Sequence, residues 1–110
     1  DMVLTRAALE AALKAYDPQA FTALIIRTLP NDEDKKTRDY DTSHPPFFTH
    51  EAMEFITACG FTHLLLDMPS VDRLEDEGKL SNHHIFWGVA QGSHDVSTPS
   101  PKTITEFIFV

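Results

Sequence analysis

The chain has 110 residues, enough for one domain with a real core, and 42% apolar and 24% charged residues exclude a wholly disordered polymer. Seventeen acidic against nine basic residues give a net charge of −8, which argues against nucleic acid or an anionic membrane as partner, since both need clustered Lys and Arg. Apolar runs such as Leu24-Ile25-Ile26 and Leu64-Leu65-Leu66 are far too short to span a bilayer; no signal-peptide layout opens the chain, and Cys59 is the only cysteine, so a reducing, cytoplasmic setting is expected.

Thr5 to Ala15 reads as a helix, with Leu9, Ala12, Leu13 and Tyr16 at three- and four-residue spacing, Thr5 as N-cap and Pro18 as the stop. Phe21 to Thr28 is short and rich in β-formers, which predicts a buried strand. Residues 29–46 are polar, charged and bounded by prolines, and predict a long surface loop of the kind that forms lids. Thr49 caps a second helix running to Ala58, with Glu51 in its first turn and Gly60 ending it. Phe61 to Asp67 predicts a second buried strand. Met68 to Asn82 carries Pro69, Gly78 and many charges and reads as irregular. Ile85 to Ala90 fits either a strand or a short helix. Residues 91–103 read as a loop or hairpin insertion. Thr103 to Val110 alternates as a strand, with Ile104, Glu106 and Ile108 on one face. Helix and strand in alternation predict an α/β domain with some parallel pairing. The apolar end Phe107-Ile108-Phe109-Val110 suggests an incomplete domain, a fragment of a longer protein over residues 1–110, whose bare edge would form a homodimer.

Asp67, Ser70 and Asp72 follow a buried strand, where ligands collect in open α/β sheets; the alternative is an ordinary turn held by Asp and Ser side chains. His83 and His84 are candidate ligands or bases, or two loop histidines. On a strand they would point opposite ways, so one ion would not easily take both. Glu106 is an acid among apolar residues, so either its face is exposed or it meets a cation or metal. His44, His50, His63 and His94 show no site spacing.

The order Leu64-Leu65-Leu66-Asp67-Met68-Pro69-Ser70-Val71-Asp72, then His83-His84-Ile85-Phe86-Trp87-Gly88, then Ile104-Thr105-Glu106, resembles the latter part of the cyclase family of metal-dependent hydrolases, related to kynurenine formamidase. Ile25-Ile26-Arg27-Thr28 and His44-Pro45-Pro46 match its upstream layout. The resemblance implies a swivelling β/β/α-type fold with a mixed sheet and two main helices. It also implies a metal site, usually of two zinc or manganese ions, and hydrolysis of an amide-type C–N bond in a small molecule such as a formamide, imide or lactam. By the same resemblance His83 and Glu106 are metal ligands, and Asp67, Ser70, Asp72 and His84 are positions supporting the metal or substrate. The family's His-x-Gly-Thr-His-x-Asp motif, which supplies most ligands, is absent from these residues. The expectation is therefore a hydrolase portion that is inactive alone. The alternative is a non-catalytic α/β module that binds a partner.

Overall fold

The computed structural model describes residues 3–40, 44–93 and 95–110. His94 and the middle of the loop at 41–43 lie outside them. Helix α1 covers Arg6–Leu13, and the Thr5 hydroxyl caps it by accepting from the Ala8 N–H at 3.3 Å. Helix α2 covers His50–Cys59, capped by Thr49 at the Ala52 N–H. It ends at Gly60, whose φ of 89° is open to glycine at little cost. Both helices start at the predicted caps and α2 stops at Gly60 as predicted, whereas α1 ends at Leu13, short of the expected Ala15. A third, α3, covers Ser81–Trp87 and decides the ambiguous segment in favour of helix.

Three parallel strands form the main sheet in the order β2 (Ala23–Ile26), β4 (His63–Leu66), β5 (Thr103–Thr105). The short strands β1 (Val3–Leu4) and β3 (Phe47–Phe48) pair separately, also in parallel. The class is thus α/β, with two small parallel sheets and three helices where the sequence suggested a mixed sheet and two main helices. One face of β4, Leu64 and Leu66, packs into a core with Phe48, Met53, Ile56, Phe61 and Phe86. The other face is open, and β2 is half-exposed instead of buried, with Ile25 57% exposed.

Two segments depart from the expected outline. The terminal strand stops at Thr105, because Phe107 adopts a left-handed φ of 64° and turns the chain. The turned segment stays tied to the end of β4, with the Phe107 N–H donating to Met68 O and the Ile108 N–H to Leu66 O. The loop from 29 is not wholly surface either. Residues Glu33–Lys36 form a 3₁₀ turn, and Lys35 is buried inside it.

Candidate functional site

β4 delivers Asp67 to the carboxyl end of the sheet, and the chain turns there through Pro69 and Ser70 to Asp72. β5 delivers Glu106 beside this turn, and α3 brings His83 over it. The three arms converge. The His83 ring lies between two carboxylates, its Nδ1 2.8 Å from Asp72 Oδ2 and its Nε2 2.9 Å from Glu106 Oε1. Glu106 Oε1 also accepts from the Val71 N–H at 3.1 Å. Ser70 stands in the same turn, its hydroxyl accepting from the Asp72 N–H at 3.1 Å.

The charges of this row reinforce one another. Burial disfavours the His83 cation, but hydrogen bonds and attraction from Asp72 and Glu106 outweigh it and push the ring up to about 9. Burial likewise disfavours the Asp72 and Glu106 anions, yet both are held below their ordinary values. For Asp72 the cause is His83 together with the backbone N–H groups of Asn82 and His83. For Glu106 it is His83, the Val71 N–H and Ser70. Trp87, one turn along α3, stands against the His83 ring with centroids 5.3 Å apart.

Asp67 and His84 are committed elsewhere. Asp67 accepts from the Thr28 N–H and hydroxyl and from Lys35 Nζ at 2.6 Å, an ion pair shut off from solvent. The ring nitrogens of His84 face the carbonyl oxygens of Leu80 and Ser93 at 2.8 and 2.9 Å. His83 and His84 share a helix, so their divergence comes from the 100° helical step and not from strand alternation. His50 opens α2 exposed, and His63 is exposed and bonded to Thr103 Oγ1. Lys35 and Trp87 escaped the sequence reading. Trp87 is legible beside His83 only once the segment is known to be helical, and a buried Lys in a charged loop leaves no local sign.

An imidazole nitrogen beside a carboxylate is a donor pair that zinc and similar divalent ions accept, and Nε2 of His83 with Glu106 supplies one. Among the described residues no group of three or more His, Cys, Asp and Glu side chains is arranged to hold a metal ion. An open cleft of about 580 Å³ lies alongside, lined by Phe47, Thr49, His50, Asp72, Arg73 and Asn82 among others, but not by His83 or Glu106. No described helix is long and apolar enough to cross a membrane.

Among known proteins, the family model described as "Putative cyclase" matches residues 1–73. That span includes Asp67, Ser70 and Asp72 and stops short of α3 and β5. No curated protein and no solved structure matches the chain. With two-thirds of its length matched by the family model, and with the α/β architecture described above, the chain belongs to the cyclase family.

Proposed function

We propose that the chain is part of a metal-dependent hydrolase that cleaves an amide-type C–N bond in a small molecule, a formamide, imide or lactam. His83 and Glu106 are two of the ligands. The observation that carries this is the approach of His83 Nε2 to Glu106 Oε1, at 2.9 Å, at the carboxyl end of a parallel sheet. A divalent ion of the zinc or manganese type supplies a Lewis acid for the carbonyl and lowers the pKa of water. The chain's own residues orient the ligands: Asp72 holds His83, the Val71 N–H holds Glu106, and Trp87 shields one side of the ring.

Two donors are fewer than the three protein ligands of an ordinary catalytic zinc. The remaining ligands come, on this reading, from elsewhere in a longer parent protein. The isolated chain should therefore hydrolyse aryl formamides negligibly in added zinc or manganese; turnover on the order of 10 s⁻¹ would refute that. In the parent protein, His83→Ala and Glu106→Gln should each strip metal and activity together. Retention of both by either variant would overturn the ligand assignment. A non-catalytic module remains the second reading, favoured by the lack of a three-residue metal cluster among the described residues. It predicts a parent protein that binds no divalent ion at His83.

A further inference from the structure

We propose that Asp72 is a positioning residue that starts helix α3 and, with the same carboxylate, fixes which nitrogen of His83 faces Glu106. The inference deepens the ligand reading above and rests on it.

Helix α3 lacks an ordinary beginning. Its N-cap position is Leu80, which holds a left-handed backbone (φ 49°) and offers no side-chain acceptor. The first N–H groups of a helix still need partners. Asp72, eight residues before Leu80, supplies them across space. Its Oδ1 accepts from the Asn82 N–H at 2.8 Å, and its Oδ2 accepts from the His83 N–H at 3.2 Å. Oδ2 also meets His83 Nδ1 at 2.8 Å. One buried carboxylate thus bonds the helix start and the ring that the helix carries.

The chemical consequence concerns one proton. A neutral imidazole has a single N–H, and the nitrogen without it has the lone pair a metal needs. Asp72 and Glu106 both attract that proton. Asp72 has the advantage: its side chain is 5% exposed against 27% for Glu106, and two backbone N–H groups fix its oxygens in place. The proton therefore belongs on Nδ1, and the Nε2 lone pair is turned to Glu106. This is the outer hydrogen bond by which a carboxylate orients a ligand histidine.

Asp72→Asn separates the two tasks. With the amide oxygen in the Oδ1 place, the closer bond from the Asn82 N–H is kept, while the NH₂ in the Oδ2 place gives up the His83 N–H and can only donate to Nδ1. Nδ1 must then be the acceptor, and the proton moves to Nε2, where it blocks the ligand face. Long-range ¹H–¹⁵N spectra of the metal-free chain, in solution alkaline enough to leave the ring neutral, read the tautomer directly. The expected result is Nδ1–H in the wild type and Nε2–H in D72N, with α3 retained by circular dichroism. In the parent protein, zinc titration should show D72N weakened by roughly 10- to 100-fold. Nε2–H in the wild type, or an unchanged tautomer in D72N, would overturn the proposal. If D72N fails to fold, the wild-type tautomer decides alone. Zinc that never perturbs His83 in the parent protein, with Nδ1–H observed in the wild-type chain, would overturn the ligand reading and leave Asp72's positioning role standing.

Discussion

The row Asp72, His83, Glu106 alternates in charge, and its linkage to pH follows from the directions of the three shifts. His83 is raised on folding, so its contribution is complete below its ordinary value of 6.5 and is lost as pH climbs through about 9. Asp72 and Glu106 are lowered, so theirs is complete above the ordinary 3.8 and 4.5 and is lost as pH falls through their folded values. The metal-free chain should accordingly melt highest between about pH 5 and 6.5. Melting curves across pH check this, and a Tm that rises steadily from pH 6.5 to 9 would contradict it. The two neighbouring histidines make a sharper residue-scale comparison. In the parent protein, His83→Ala should abolish the zinc response, because the Nε2 donor goes. His84→Ala should keep it but lower stability by about 1 kcal/mol, the cost of leaving part-buried carbonyl groups without their partner. Zinc titration and thermal melting of the pair measure both, and a reversed pattern would shift the metal ligand by one residue.

At the level of elements, what was legible depended on how far away the controlling residue sits. Helices α1 and α2 announce themselves through Thr5, Thr49 and Gly60, each within a turn of the boundary it sets. Helix α3 does not, because its cap is Asp72, distant in sequence. β1 and β3 are two residues each and leave no periodicity to detect. The site was half legible for the same reason. Glu106 stood out as an acid among apolar residues, and the family resemblance singled out His83, but their pairing with Asp72 needs three separate elements to be placed in space. The charged loop is the clearest miss. Lys35 Nζ bonds Asp67, Thr28 and Asn31 in a buried site and pins the loop to the ends of β2 and β4. Removing one partner of such a pair strands the other charge. Lys35→Met should thus cost about 3 kcal/mol, while exposed Lys36→Met in the same turn should cost less than about 1 kcal/mol. Urea melts of the two variants test this, and equal effects would mean that the Lys35–Asp67 pair does not hold the loop.

For the molecule as a whole, the open sheet face decides the expected behaviour in solution. Parallel sheets are ordinarily covered on both faces, and here, among the described residues, the helices pack against Leu64 and Leu66 on one side only. Ile25, Phe21 and Phe107 stay more than half exposed. The accessible surface is 7101 Å², against roughly 6,100 Å² for a compact monomer of this mass. The sequence suggested that a free apolar edge at Phe107–Val110 would pair with a second chain. The structure changes the geometry of that argument. Phe107 leaves the strand, Tyr40 packs edge-to-face on it at 5.4 Å, and Lys36 sits over the Phe109 ring. The tail is thus partly covered by the 31–40 loop, and the surface left for association is the sheet face around Ile25. Burying a large apolar side chain there contributes about 1.5–3 kcal/mol, and a net charge of −8 opposes this less as salt is added. The expected outcome is a dimer in sedimentation at micromolar concentration, favoured by salt and weakened by Ile25→Lys. Tail variants such as Phe109→Ser should leave it unchanged. A monomer under all salt conditions would show that the exposed face is tolerated in water, and a dimer lost in Phe109→Ser but kept in Ile25→Lys would return the contact to the chain's end.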